Sequence, residues 1–352
     1  MAEVAGVVVA HAIVAWVITY LLHSTVLYGV ARLLERLHDD PEWRSVVWRT
    51  AIFGPLVTAS LQTAWPVGAP VRIGPETPGA LLGPNPLLAL SLVAAWVTVI
   101  GARAVAVVRA ELRARTALGP RRVSRDPHLR RLLEEAAASA GLRRTPLLTI
   151  SRSSFSPAAL APAEVCLPLR IFAGLPAEQR RALLAHEVAH LTRRDPLWSG
   201  AATALVRVLS FQPLSRSALV RLRRAAEHAA DARALATSSP LDLARALAAI
   251  APFALTAAGA GAAATGAPIA ERVARILDPA TPPARPLAAL HLATTLLMLA
   301  GGCLALGPGV SFTPETAAES IPWLTPSRQE PNVRMLEVRN FDRELRTLVR
   351  RR

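Results

Sequence analysis

The stretch "LLAHEVAHLTRRDPL", Leu183 to Leu197, decides how this chain is read. Its histidines, His186 and His190, stand four residues apart, with Glu187 directly after the first. On a helix, residues four apart share one face, so both imidazoles point the same way. Such a pair can fill two positions of a tetrahedral zinc ion. A carboxylate beside the first histidine can then take a proton from a zinc-bound water instead of binding the metal. This is the HExxH arrangement, with Glu187 as candidate general base. A solvated helix face could carry the same residues, so the reading needs a third ligand.

That ligand has a candidate downstream. The segment "RRAAEHAADARAL" offers Glu227 and Asp231, again four residues apart. Glu227 can reach a metal, and Asp231 on the same face can accept a ring N–H from a ligating histidine, which fixes its tautomer. His228 competes for the ligand role but points about 100° away from Glu227. Cys166 and Cys303 have no metal-type spacing, so neither is expected on zinc. Asp195, followed by Pro196, reads as a helix cap rather than a catalytic acid.

Composition places this site in an unusual setting. Of the 352 residues, 52% are hydrophobic and 18% charged, where a soluble domain has about 25% charged. Lipid is expected to solvate part of the chain. The net charge of +15 comes from arginine alone, with no lysine present. Together with abundant Ala and Pro, this is the composition of a GC-rich bacterial genome. No nucleic-acid-binding motif accompanies the basic charge, so direct nucleic-acid binding is not expected.

A helix crosses a bilayer with about 20 mainly apolar residues. Candidate spans run from Val4 to Val30, Val46 to Trp65, Leu87 to Val108 and Leu287 to Leu306. The second carries Arg49 near its start. The first is too long, and lacks the basic start and cleavage site, to be a signal peptide. Arginine-rich flanks orient these spans by the positive-inside rule, with residues 110–286 in the cytoplasm. The tail fits poorly: it falls outside on this topology, yet holds eight arginines against six acidic residues.

The cytoplasmic stretch mixes helices and strands. "DPHLRRLLEEAAASAGL" predicts a helix capped by Asp126 with Pro127 at its first position. "TPLLTI" and "EVCLPLRIF" read as strands. "LPAEQRRALLAHEVAHLTRR", "LWSGAATALVRVLSF" and "SRSALVRLRRAAEHAADARALA" read as helices. "LTAAGAGAAATGAP" is low in complexity and reads as a linker. His11, His23 and His291 lie in expected spans, where a neutral histidine bonded between helices is the expected state. "MLEVRNFDRELRTLVRRR" reads as an amphipathic helix that touches a membrane surface or a partner, or as a solvated tail.

The segments "AHEVAHLTRRDPL", "FQPL" and "EHAADARAL", with "SRSSFSPAALAPAEVCLP" upstream, resemble the membrane-embedded zinc peptidases of the BlaR/MecR β-lactam sensor-transducer family. The order of spans matches too, so the resemblance covers most of residues 1–308. It implies a mainly α, multi-pass membrane protein with a cytoplasmic α+β zincin-like domain of the gluzincin type. The expected division is a membrane domain of three helices at 1–109, the peptidase domain at 110–286, a fourth span at 287–308 and an extracytoplasmic tail at 309–352. His186, His190 and Glu227 would hold Zn2+, Glu187 would act as general base, and Asp231 would be the acid behind a histidine. The expected setting is the bacterial inner membrane, and the expected substrate a cytoplasmic protein such as a transcriptional repressor.

The best-known members carry a large penicillin-binding domain after the last span. Here 44 residues follow Pro308, so direct β-lactam sensing is not expected. A quality-control protease of the HtpX type is a second reading, but its usual "NAFATG" is replaced by "SSFSPAAL". A non-catalytic receptor with structural zinc is a third; a structural site has no need of Glu187. For substrate binding, a strand near "EVCLPLRIF" is expected to pair with an extended peptide, as in zincins generally. Arg233 and His228 are the candidates for stabilising an oxyanion.

Overall fold

In the computed structural model the described residues are 2–64, 71–73, 86–117, 119–154, 156–262, 267–278 and 310–312. The expected fourth span, His291, Cys303 and the tail helix lie outside them. In chain order the elements are α1 (Ala2–Leu37), α2 (Pro41–Ala64), β1 (Val71–Ile73), α3 (Pro86–Ala117), β2 (Arg121–Val123) and α4 (Pro127–Ser139). They continue with β3 (Leu147–Ser151), β4 (Ala158–Leu160), β5 (Glu164–Pro168), α5 (Leu169–Phe172), α6 (Ala177–Thr192) and α7 (Asp195–Val208). Last come α8 (Ser215–Ala234), α9 (Pro240–Ala262), α10 (Ile269–Leu277) and β6 (Val310–Phe312).

Two stretches are long and apolar enough to cross a membrane, Ala12–Leu37 in α1 and Leu90–Arg113 in α3. The stretch in α3 is 0% buried within the protein, which leaves Leu92, Val97, Val99, Val105 and Val108 exposed. So continuous an apolar surface calls for lipid or a partner. The expected second span folds as α2 but is not among the stretches that pass this test. Its sequence explains the difference. Glu42, Arg44 and Arg49 charge its first half, while Ser45, Thr50, Thr58 and Gln62 are buried against neighbouring helices. Instead of facing lipid all round, α2 packs on α1 and α8. His23 behaves as expected: its Nδ1 lies 2.9 Å from Thr58 Oγ1, joining α1 to α2.

Apart from the short parallel pair of β1 with β6, the remaining elements form a helical body around a four-stranded mixed sheet of order β2-β3-β5-β4. β3 and β5 are parallel, with Leu148 opposite Val165, and β2 and β4 flank them antiparallel. The segment "EVCLPLRIF" is a strand only as far as Pro168, beyond which Leu169–Phe172 makes a helical turn. Asp126 caps α4 as expected, its carboxylate accepting from the backbone N–H of His128 and Leu129. The expected linker instead begins as the last turns of α9, up to Ala262. Alanine is the best helix former, so its repetition outweighs the interspersed glycines. Residues 263–266 lie outside the described set.

Two hydrophobic cores hold the helices, and α6 belongs to the first. One gathers Leu133 of α4, Val165 and Leu167 of β5, Leu183, Leu184 and Val188 of α6, and Leu243 and Leu247 of α9. The other joins α1 and α2 to α7 and α8 through Leu27, Tyr28, Trp43, Trp48, Val206 and Leu222. Leu184 is 0% exposed, and Leu184→Ala should cost about 2–5 kcal/mol by lost burial and cavity formation. Denaturant unfolding of the solubilised protein measures that loss; an unchanged transition would mean that Leu184 is not the packed core residue described.

Candidate metal centre

The centre is built on α6 and α8. Pro176 starts α6 and Glu178 charges its first turn; no breaker follows before Thr192. The helix lies between the sheet and α8, so most of its later residues are buried, His186 and Glu187 among them. α8 crosses it and brings Glu227 to the two histidines. His186 Nε2 and His190 Nε2 are 3.2 Å apart. Glu227 places one oxygen 3.7 Å from the first and the other 3.8 Å from the second.

These separations suit a small tetrahedral ion. Ligands about 2.0–2.1 Å from zinc stand about 3.3 Å from one another. The proton positions point the same way. His190 Nδ1 lies 2.9 Å from Asp195 Oδ2, and His186 Nδ1 lies 3.1 Å from Asp231 Oδ1, close though poorly aligned. With each Nδ1 proton facing a carboxylate, both Nε2 atoms turn lone pairs towards one another and towards Glu227. Such an array of acceptors is favourable only around a cation. The residues therefore fit a metal ion, held by His186, His190 and Glu227.

One cation is built in. Arg272 of α10 is buried, and its guanidinium grips Asp231 through Nε at 2.9 Å and Nη2 at 2.7 Å. Its Nη1 lies 2.9 Å from Glu227 and its Nη2 3.2 Å from His186 Nε2. The last two contacts engage groups that are also metal donors, Glu227 Oε2 and His186 Nε2. Nothing in the local sequence marked Arg272, which lies 45 residues beyond Glu227 and becomes its neighbour only when α10 folds back.

Asp195 is a correction. The cap of α7 is Arg194, in the left-handed region at φ 56°, and Asp195 takes the first helical position. Its carboxylate accepts from His190, from Arg193 Nε at 2.9 Å and from Arg49 at 2.5 Å. The left-handed turn folds the chain back at the end of α6 and delivers Asp195 to His190. The sequence signal was there as "HLTRRDP", but its five-residue spacing matches no helical face.

Charge at the centre follows from these contacts. Burial pushes the Glu187 carboxyl up, and the neighbouring His186 and His190 reduce that rise without cancelling it. Burial also favours the neutral form of Glu227, but Arg272 and the histidines overcome it and keep the carboxyl well below its usual range. The same contest leaves Asp231 at about 2, with Arg272 the main opponent of burial. Burial and Arg272 oppose a proton on His186; Asp231 and Glu227 outweigh both and raise it to about 9.

Ser156, Pro157, Ala158 and Ala159 face His186, Glu187 and His190 across a cleft. β5 is paired on both sides, so the sheet edge beside the cleft is β4, which corrects the expectation placed on "EVCLPLRIF". Neither candidate for oxyanion stabilisation lines it. His228 bonds Glu271 at 3.0 Å, and Arg233 bonds Glu42 of α2.

A family model described as "BlaR1 peptidase M56" matches residues 83–273. The match covers more than half of the chain and includes every group of the donor triangle. The chain belongs to the BlaR1 peptidase family. A search of curated proteins found no match. The family is one of peptidases, and the His-His-Glu cluster able to hold a metal is in keeping with a metal-dependent one.

Removing Arg272 should weaken metal binding, because Glu227 and Asp231 lose the group that holds them. Arg272→Ala is expected to lower affinity about 10–100-fold, the usual cost of losing support behind a ligand. Competition against a chelating dye reads this directly, and wild-type affinity in the variant would reduce Arg272 to a bystander. Acid should also weaken binding, since a protonated imidazole cannot ligate. With His186 raised, affinity is expected to fall steadily as pH drops from about 9. A flat profile in the same dye assay would contradict that.

Proposed function

We propose that this protein is a multi-pass membrane zinc metalloendopeptidase that transmits a signal by cutting a cytoplasmic protein. The observation that carries the reading is a triangle of metal donors with a buried carboxylate, Glu187, beside it in a cleft bordered by an edge strand. Zinc held by His186, His190 and Glu227 supplies Lewis acidity, lowering the pKa of a water and polarising the scissile carbonyl.

The chain's own residues do the rest. An extended substrate adds beside β4, where backbone pairing lays a peptide bond across the cleft. Glu187 takes a proton from the attacking water and returns it to the departing amine. Its burial suits this task, because a carboxylate with a raised pKa is a stronger base near neutral pH. Arg272 keeps Glu227 charged and in place, while Asp195 and Asp231 each hold a histidine proton on Nδ1.

In this reading α1, α2 and α3 all cross the membrane, with α2 packed against α1, and the arginines beyond α1 and α3 favour a cytoplasmic cleft. The sensor-transducer family favours a regulatory substrate such as a transcriptional repressor, with the lipid bilayer as the other partner and no direct nucleic-acid contact.

The test is Glu187→Gln. Purified wild type and variant should each hold about one zinc per chain, as a mononuclear site requires. The variant should lose about 10²–10⁴-fold in cleavage rate, the contribution of a general base. Comparing cytoplasmic proteins from cells with either form should show a fragment only wild type makes. Undiminished cleavage by the variant would remove Glu187 from the chemistry, and a folded wild type without metal would sink the zinc reading.

A further inference from the structure

The second histidine of the centre is tied to a helix far from it in sequence. Asp195, 5% exposed, accepts a hydrogen bond from His190 Nδ1 and another from Arg49 of α2. Arg193, also buried, bonds Asp195 on one side and Glu42 of α2 at 2.5 Å on the other. Glu42 also bonds Arg233, two residues past Asp231. The Arg49 guanidinium lies 5.2 Å from the centroid of the Trp198 ring, and Phe53 of α2 meets the same ring edge-on. A continuous line of charges, half-buried on α2 and buried at Arg193 and Asp195, thus runs from α2 to a metal donor.

Geometry makes α2 more than a neighbour. A buried carboxylate shared by one histidine and two arginines sits where those partners put it, since displacement leaves charges unpaired in a poorly polar interior. The imidazole follows its carboxylate, because the Nδ1 bond fixes ring orientation and therefore the aim of Nε2. Both α2 residues precede residue 83, where the family match begins.

We propose that α2 is a working part of the metal centre: Glu42 and Arg49 set Arg193 and Asp195 so that His190 aims Nε2 at the metal, and a shift of α2 against α6 changes metal affinity. Arg49 is thereby a positioning residue, acting on the donor through Asp195. α2 packs along α1, which carries a stretch able to cross a membrane, so movement of α1 would reach the site by this route. The inference rests on His190 being a metal ligand.

The experiment measures zinc affinity of the full-length protein in detergent, by dye competition, with no substrate involved. Arg49→Ala should bind zinc about 10–100-fold more weakly, as expected when support behind a ligand is lost. Arg49→Lys should recover part of that loss. The decisive readout is a double-mutant cycle. Combining Arg49→Ala with Asp195→Asn should cost no more than the worse single change, whereas combining it with Asp231→Asn should multiply the two losses. A merely structural role for Arg49 would couple to both partners alike or to neither. Wild-type affinity in folded Arg49→Ala, or independent losses with Asp195→Asn, overturns the proposal. Should Arg49→Ala fail to fold, the same cycle run with Arg49→Lys and with Glu42→Gln decides it by the same criteria. Failure of the wild type itself to bind zinc would instead strike the metallopeptidase reading.

Discussion

Three electron-pair donors are held within 4.8 Å of one another in a largely buried place, and the surrounding structure serves to make that arrangement tolerable. Imidazole nitrogens and a carboxylate repel when they converge without a cation, and burial strengthens the repulsion by removing water. Arg272 and the two flanking acids answer it from opposite sides. Asp231 and Asp195 keep each histidine's proton turned away from the centre, and Arg272 balances the carboxylates. The centre is preorganised for a positive ion because its donors converge, with Arg272 the one cation already beside them.

That solution spreads outward as a set of buried ion pairs. Such pairs are poor sources of stability, since desolvation offsets most of the attraction, yet removing one partner is costly, about 3–5 kcal/mol. Their use here is geometric. Arg272 requires α10 to lie across α8, and Asp195 requires the sharp corner at Arg194 together with a partner on α2. The packing of the helices and the aim of the donors are therefore one problem, solved by the same residues. The two apolar cores hold the helices; the charges set their register.

What could be read from the sequence follows the range of each contact. His186, Glu187 and His190 share one helical turn, and Glu227 and Asp231 share another, so spacing alone exposed both groups. The cap at Asp126 and strand β3 were readable for the same local reason. Arg272, Arg49 and Glu42 were not, because each meets the centre only through tertiary folding and none stands in a periodic pattern with its partners. Asp195 was read as a cap because Asp-Pro so often starts a helix; the left-handed Arg194 took that position instead. α2 was read as a span from its apolar run, and its buried hydroxyls and amide, which lower its hydropathy, face neighbouring helices rather than lipid. β4 escaped notice because three residues bounded by prolines carry too little pattern.

The tie between Glu42, Arg193 and Asp195 bears on how such a peptidase can be handled at the bench. Cutting the chain at residue 110 to obtain a lipid-free catalytic piece would keep every donor to the metal. It would also strand Arg193 and Asp195 without Glu42 and Arg49, leaving two buried charges and the apolar floor of α7 and α8 open to water. The excised piece would be a different molecule at its reactive end, and its inactivity would say little about the protein from which it came.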